Sequence, residues 1–452
     1  MTRTLRFSML LCMFVLVLSP LASQSQDEDT GGMDFNMTIE LGARTFNEED
    51  SSGDTEQITY QSLSLNPEFI FGKVGIGLGI TLNYRFVDDD GDSTFEIREE
   101  DWVPEDDKSF FDLYLPIFRY IRYGYKGDPF YAKIGSIEDG TLGTGFIMAN
   151  YANTLFLPET RIVGLALDLD GNLINFPYMG VETFVGNLAQ FDVVGSRLYI
   201  RPLISTSLPV INAIQFGATY AADTEPETNY DFSTLTEDPD TVSMFSFDYI
   251  QPLLDKESIT LSFYGDMAFQ PGGDELNSGL LVGMGGRMLR FIDYGLNTFF
   301  LNDNFVPFYF DGTYDLYREA KYAIYSGIEE IPGYSGWQTL LGFSFLEDAF
   351  SFQTSLDASF SPDADRESTL PHLRSTLTVG EGLLPGIFFD VTYDKKYIND
   401  FDELIEPEDA VILANLNYKT GPAVITFGYT LRYVPEDDDW ETTATLSSSI
   451  SM

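Results

Sequence analysis

The amino-acid sequence predicts an all-β fold, a transmembrane antiparallel up-and-down β-barrel of about 18–20 strands. Three observations lead to this prediction: apolar residues recur at every second position over long segments, short and long connectors alternate, and the final segment keeps its alternation to the last residue. In segment 74–86, apolar side chains alternate with glycine or polar side chains over 13 residues. Strands of soluble proteins usually have about 5–6 residues, whereas tilted strands of roughly 9–11 residues cross an outer membrane. The segment length therefore favours membrane-spanning strands.

The first 25 residues are typical of a secretory signal peptide. Arg3 and Arg6 precede an apolar stretch from Phe7 to Leu18, and small residues follow Pro20. About a dozen apolar residues are too few to span a membrane as a helix. We therefore expect residues 1–25 to be cleaved and residues 26–452 to form a single outer-membrane β-barrel domain. The only cysteine, Cys12, lies in the predicted signal, so we expect a mature chain without disulfides.

Alternating segments and their connectors follow one another along the chain. The clearest segments are 35–43, 74–86, 214–220, 259–263, 337–345, 350–360, 410–418, 423–433 and 440–452. Short connectors are expected at 72–73, 124–129, 170–172, 254–258, 347–348 and 419–422, and long acidic ones at 45–58, 87–108, 223–240, 398–409 and 434–439. Short turns on one side and long polar loops on the other are the signature of a transmembrane barrel. A soluble sandwich is the alternative, but its outward face would be polar.

The charge of the chain excludes several classes of function. Asp and Glu number 71 against 25 Lys and Arg, which gives a net charge of −46. We expect no nucleic-acid partner, because phosphate binding needs clustered Lys and Arg. His372 is the only histidine, which excludes His-based metal clusters, and no serine motif flanks it to support a Ser/His pair. We therefore predict no enzyme, no catalytic residues, no metal centre and no cofactor. The run Asp88–Asp92 leaves two alternatives open, namely weak divalent-cation binding at the acidic loops or a solvated, repelling loop.

These features together resemble bacterial outer-membrane barrels of the porin type. The final segment, Trp440–Met452, resembles the signal that barrel-assembly machinery reads, although such signals usually end in Phe or Trp. Segment 304–318 weakly resembles uncharacterised spirochaete-type barrels. The resemblance implies the outer membrane of a diderm bacterium, contact with outer-membrane lipid, and the barrel-assembly machinery as a partner.

The predicted function is an outer-membrane channel for the diffusion of small hydrophilic solutes, with a preference for cations. If the apolar set faces lipid, the opposite set lines the lumen. The candidate pore-lining arginines of the strands are Arg85, Arg197, Arg201 and Arg287. Arg85 stands next to an acidic loop, which favours pairing with that loop's carboxylates. For the other three, pairing and a role in the pore both stay open. Acidic loops around one mouth predict the cation preference.

Two long connectors, 136–161 and 302–334, are candidate constrictions that fold inward. The second has helical spacing with a capping aspartate nearby, and it carries Tyr314, Tyr317, Arg318, Lys321 and Tyr322 as further candidate pore-lining residues. Aromatic residues at this density would be costly on an exposed loop. They fit a pore lining and a plug equally well. The alternative function is therefore a surface-exposed adhesin or interaction barrel with acidic extracellular loops and a closed lumen.

Overall fold

In the computed structural model, most of the chain belongs to one large β-sheet. The described residues are 33–49, 55–89, 92–103, 114, 117–155, 162–208, 210–227, 239–273, 275–346, 349–363, 369–406, 409–421, 423–434 and 439–450. The predicted signal peptide and the last two residues of the predicted assembly signal, Ser451 and Met452, lie outside them. No helix in this part of the chain is long and apolar enough to cross a membrane.

Twenty strands form one large sheet in the described part of the chain. The first ten are β1 Met33–Glu49, β2 Thr55–Phe71, β3 Val74–Leu78 with Ile80–Asp89, β4 Asp92–Ile97 with Phe118–Tyr123, β5 Phe130–Gly135, β6 Gly164–Asp170, β7 Met179–Val185, β8 Val193–Ile200, β9 Gln215–Asp223 and β10 Val242–Lys256. The others are β11 Ile259–Gly272, β12 Glu275–Met288, β13 Ile292–Leu301, β14 Tyr334–Phe345, β15 Phe350–Ser359, β16 His372–Leu384, β17 Ile387–Lys395, β18 Ala410–Thr420, β19 Ala423–Val434 and β20 Asp439–Ile450.

Each strand pairs antiparallel with the next one along the chain, from β1 to β20. The last strand lies beside the first, although the described pairings include no backbone ladder between them. The up-and-down order and the strand number confirm the predicted fold class.

The longest connectors lie at one end of the sheet, as the sequence predicts, although the shorter connectors 186–192 and 273–274 lie at that end as well. The strand ends that are joined by the connectors 136–163, 224–241, 302–333, 360–371 and 396–409 all lie at one end of the sheet, which we call the long-connector end. At the other end most turns are short, and Gly72 and Gly421 supply the left-handed backbone that two of them need. The connector 201–214 is the exception, because it is long but lies at the short-connector end.

The strands extend further into the acidic segments than predicted. β1 and β2 leave only residues 50–54 between them instead of 45–58, and the segment 87–108 contains the end of β3 and the first part of β4. Polar cross-strand pairs support these extensions. The hydroxyls of Thr45 and Thr59 lie 2.8 Å apart, and Arg85 pairs with Glu96 at 3.0 Å. Backbone ladders need no apolar face, so strands continue where hydrophobic alternation stops.

The two faces of the sheet are inverted relative to those of a soluble β-protein. On β8, Leu198 is 48% exposed on the outward face, whereas the adjacent Arg197 is 2% exposed on the inward face. Exposed outward side chains on the neighbouring strands are Phe216, Tyr220, Phe247, Met267, Leu280, Leu296 and Phe300. We call this outward set the apolar belt. An apolar outer face over a polar inner face is the arrangement of transmembrane barrels. The resemblance to porin-type barrels is thus confirmed at the level of fold class.

Candidate functional site

The connector between β5 and β6 folds into the space that the sheet surrounds. Gly140 and Tyr151 exchange two backbone hydrogen bonds of 3.0 Å, so the chain turns back on itself between them. Gly143 and Gly145 adopt positive φ within this turn, a conformation that favours glycine. Phe146, Ile147 and Met148 are completely buried. The turn therefore carries its apolar tip inward.

The connector between β13 and β14 folds inward as well and contains helix α1, Arg318–Tyr325. Arg318, Tyr322 and Tyr325 are buried along one face of this helix, as their spacing requires. The Tyr322 hydroxyl accepts a hydrogen bond from the Asp240 backbone N–H (2.9 Å). The Tyr325 hydroxyl donates to the Pro271 carbonyl (2.9 Å). The helix is thereby tied to the long-connector ends of β10 and β11.

The helix that the spacing predicts is confirmed, but the prediction that an aspartate caps its N-terminus is wrong. The residue before the helix is Tyr317, and no side chain caps the helix N-terminus. Asp315 accepts hydrogen bonds from the Arg318 guanidinium instead, at 3.0 Å from Nε and 2.8 Å from Nη2. A buried guanidinium gains more from this carboxylate than a backbone N–H at a helix end would.

The two connectors meet inside the sheet and form one unit, which we call the insert (residues 136–155 and 302–333). Met148–Ala149 and Phe310–Asp311 form a short parallel pair. The N–H groups of Phe308 and Phe310 donate to the carbonyls of Phe146 (2.8 Å) and Ile147 (3.1 Å). The Phe146 ring packs against Phe305. The insert and the inner faces of β5–β13 thus share one apolar core.

Arg318 is the centre of a buried ionic cluster that joins the insert to the strands. Its guanidinium lies 2.8 Å from Asp192, 3.1 Å from Asp223 and 2.8 Å from Asp315. The Tyr314 hydroxyl donates to Asp223 (2.7 Å), and the Tyr314 ring lies under the guanidinium, 5.3 Å from it. Burial raises the pKa of Asp315, although the Arg318 charge acts in the opposite direction. Three carboxylates therefore share a single cation.

A second buried cluster surrounds Arg197 at mid-height on the inner wall. The guanidinium pairs with Glu182 (2.7 Å) and with both carboxylate oxygens of Asp248 (2.7 and 2.9 Å). The tip of the insert contacts the same region, since the Gly143 N–H donates to Glu182 (3.1 Å). The Thr144 hydroxyl donates to Asp266 (2.5 Å), which lies opposite Asp248 on β11. The insert is thus hydrogen-bonded to the centre of the wall as well as to its end.

The other predicted site residues occupy different environments. Arg201 pairs with Asp170 (2.6 Å), and Arg287 pairs with Asp293 (2.7 Å). Lys321 donates to the Tyr309 carbonyl (2.6 Å) and to Asp311 (2.8 Å), and burial lowers the pKa of its ammonium group. Tyr317 is 56% exposed, in contrast to the buried Tyr314 and Tyr322.

The structure brings six of the nine candidates together in or around the insert and leaves the other three along the wall. Tyr314, Tyr317, Arg318, Lys321 and Tyr322 belong to the insert, and Arg197 lies against its Gly143. Arg85, Arg201 and Arg287 make ion pairs elsewhere on the inner wall. The sequence reasoning missed the buried carboxylates Asp192, Asp223, Asp248 and Asp266. Asp248 and Asp266 stand at inward positions of β10 and β11, so a stricter reading of the two-residue period would have found them.

The wall opposite the insert remains exposed to solvent. Inward-facing side chains on β15, β16, β18 and β19 that are exposed are Gln353, Arg374, Asn415 and Arg432. Asn415 donates to Asp390 (2.9 Å), and the hydroxyls of Thr376 and Thr392 lie 2.9 Å apart, so this inner wall is polar. No described group of three or more His, Cys, Asp or Glu side chains is arranged to hold a metal ion. Divalent-cation binding at the acidic loops stays a prediction.

The sequence matches no protein-family model and no curated protein. Solved structures give distant likenesses. OpdK of Pseudomonas aeruginosa with vanillate is 9% identical, with a TM-score of 0.35 over 92% of this chain and 98% of that chain. OccK2 (OpdF) of the same organism in complex with glucuronate is 9% identical, with a TM-score of 0.34 over 93% and 96% of the two chains. The outer membrane protein OprD of Pseudomonas aeruginosa is 8% identical, with a TM-score of 0.32 over 93% and 92%. The fold class follows from the strand pairings and the apolar belt.

Proposed function

We propose that the chain is an outer-membrane channel for the diffusion of small hydrophilic solutes. The observation that carries the proposal is the asymmetry of the lumen. The insert packs against β5–β13, whereas polar inward-facing side chains on β15, β16, β18 and β19 are exposed. Barrels of about 16–18 strands already enclose an aqueous channel. With twenty strands, a channel can coexist with an insert that fills one side.

The apolar belt supports a location in the outer membrane of a diderm bacterium. A belt of exposed Leu, Phe and Met side chains needs lipid on its outer side. In this proposal, the predicted signal peptide directs export, and the barrel-assembly machinery inserts the chain. No catalytic step is assigned to the lumen, whose side chains bind one another and line a path for solutes.

The insert is the proposed constriction of this channel. Residues 136–155 and 302–333 narrow the lumen on the β5–β13 side. Of the three candidate tyrosines, the exposed Tyr317 is the one that a passing solute would contact first. The buried Tyr314 and Tyr322 support the position of the insert through their hydroxyl hydrogen bonds.

The proposed preference for cations follows from how the wall arginines are paired. Arg197 faces two carboxylates, while Arg201 and Arg287 each face one. The charges of these arginines are therefore neutralised locally. The remaining carboxylates, which give the chain its net charge of −46, then make the electrostatic potential of the lumen and its mouth negative. Such a potential concentrates cations within a Debye length of about 8 Å at physiological salt.

Planar-bilayer recording tests the proposal. The purified, refolded protein should give discrete conductance steps, and a tenfold KCl gradient should give a reversal potential of the sign for cation permeation. Anion permeation that disappears in an Arg374→Gln, Arg432→Gln variant would contradict the charge assignment and leave the channel intact.

The alternative function, an interaction barrel with a closed lumen, is favoured by one observation. The insert shares a continuous apolar core with the wall, and a buried ionic cluster joins it to the strands, as expected for a permanent plug. A folded, heat-modifiable protein that gives no conductance steps at any voltage would support this alternative and refute the channel.

A further inference from the structure

Two connectors at the short-connector end have an unusual composition. Residues 171–178 and 202–214 contain no Asp, Glu, Lys or Arg in a chain whose net charge is −46. The two ionisable residues that flank them, Asp170 and Arg201, pair with each other at 2.6 Å. We call these two uncharged connectors the collar.

The collar exposes large apolar side chains. Ile174 is 76% exposed and Leu208 is 56% exposed, and Leu173, Phe176 and Ile211 are exposed as well. Each connector is nevertheless ordered by local contacts. Asp170 accepts a hydrogen bond from the Asn172 N–H (2.8 Å) at the start of the turn Gly171–Ile174, and a second short turn spans Ile211–Ala213. The apolar side chains are thus held outward on folded turns. The surfaces of soluble proteins rarely expose so many large apolar side chains together.

The second connector lies on the outer surface of the sheet, on the same side as the apolar belt. The Gln251 amide donates to the Val210 carbonyl (2.9 Å). Gln251 shares the face of Tyr249, whose hydroxyl donates to it and whose ring contacts the outward Phe216. The connector therefore folds outward over β10 rather than into the lumen.

The first connector is continuous with the belt through β7 and β8. Met179 and Ile200 are directly opposite each other at the ends of these strands, and both are exposed on or next to the belt. The Arg201 N–H donates to the Tyr178 carbonyl (2.7 Å), which keeps the two connectors side by side. Apolar surface thus runs without interruption from the belt onto the collar.

We propose that the collar is a membrane-interface anchor that binds the phospholipid surface at the short-connector end of the barrel. Apolar side chains on short ordered turns, without charges, fit the boundary between headgroups and acyl chains. The lack of carboxylates matters, because this chain's acidic character would otherwise oppose approach to anionic lipid. The anchor would fix the depth and tilt of the β6–β9 side. The inference rests on the membrane location proposed above, but not on an open lumen.

Site-specific fluorescence in vesicles tests the anchor. In a Cys12→Ser background, single cysteines at Ile174→Cys and Leu208→Cys are labelled with an environment-sensitive fluorophore, and the protein is reconstituted into phosphatidylethanolamine–phosphatidylglycerol vesicles. Lys73→Cys, in the exposed turn 72–73 at the same end, is the matched control. Heat-modifiable migration on electrophoresis establishes that each variant has folded.

The anchor predicts blue-shifted emission at positions 174 and 208, with at least twofold stronger quenching by shallow nitroxide lipids than at position 73 and weak quenching by iodide. Water-like emission with strong iodide quenching at 174 and 208 would overturn the proposal. A blue shift that disappears when the protein is diluted in lipid would also overturn the proposal, because a second copy of the protein, and not lipid, would then cover the collar. Lipid quenching in a protein without conductance would refute the channel and support the anchor.

Discussion

At the scale of single residues, the charge balance around Arg318 determines how firmly the insert is held. One buried guanidinium, 2% exposed, meets carboxylates from the start of β8, the end of β9 and the insert itself. Removing the cation would leave the buried Asp192, Asp223 and Asp315 facing one another without a counter-ion. Unpaired buried charges of this kind are among the most destabilising local changes in a protein.

Arg318→Met should therefore lower the free energy of unfolding by about 3–5 kcal/mol. Arg374→Met is the matched control, because Arg374 is exposed and lies 3.8 Å from Asp394, so its loss should cost less than about 1 kcal/mol. Denaturant titration of the refolded protein in vesicles measures both values. Equal, small losses in the two variants would show that the Arg318 cluster does not hold the insert.

The raised pKa of Asp315 makes the stability of the protein depend on pH, and the direction of the shift gives the sign of this dependence. The folded state binds the Asp315 proton more tightly than the unfolded state does, so this group's contribution to stability increases as the pH falls through the raised pKa and decreases as the pH rises through it. Asp315→Asn removes the titration. The stability of the wild type relative to Asp315→Asn should rise on acidification from neutral pH, as measured by parallel denaturant titrations. A difference that is constant or falls would contradict the assignment.

At the scale of elements, the sequence predicts which connectors fold inward but not how they meet. The aromatic density of residues 302–334 and the spacing of Arg318, Tyr322 and Tyr325 are local properties, so they predict an inward connector and its helix. The pairing of Met148–Ala149 with Phe310–Asp311 joins residues about 160 positions apart and depends on the fold of the whole sheet. The ion pairs around Arg197 and Arg318 could not be predicted for the same reason, because their partners come from different strands.

Phe146 makes this element-scale account testable, because its ring is completely buried between the two halves of the insert. Phe146→Ala should cost about 3–5 kcal/mol through the cavity that it leaves. Phe247 lies on the outward face, where lipid can fill the space that Phe247→Ala leaves. This substitution should therefore lower the free energy of unfolding clearly less than Phe146→Ala. Unfolding titrations and current noise in bilayers report the effect. If Phe146→Ala leaves both stability and noise at wild-type values, the insert is not a packed unit.

At the scale of the whole molecule, the two-residue period and the alternating connectors predict the sheet, the inversion of its faces and a range of about 18–20 strands that includes the observed twenty. These features depend only on sequence-local pattern and on the pleat of a strand. Strand ends were less predictable, because β1 to β4 continue into acidic segments on backbone hydrogen bonds and polar pairs alone. The asymmetry of the lumen was beyond local pattern, since it arises from which half of the wall the insert covers.

The single-channel conductance of variants that narrow the exposed wall tests whether the lumen contains an open path. Asn415 faces the lumen on β18, and its neighbour Ala414 faces outward on the same strand. Asn415→Trp should lower the single-channel conductance clearly below the wild-type value, because the indole enters the open side of the lumen. Ala414→Trp should leave the conductance unchanged. An absence of current steps in the wild type, or equal conductance in the two folded variants, would contradict an open path along β15–β19.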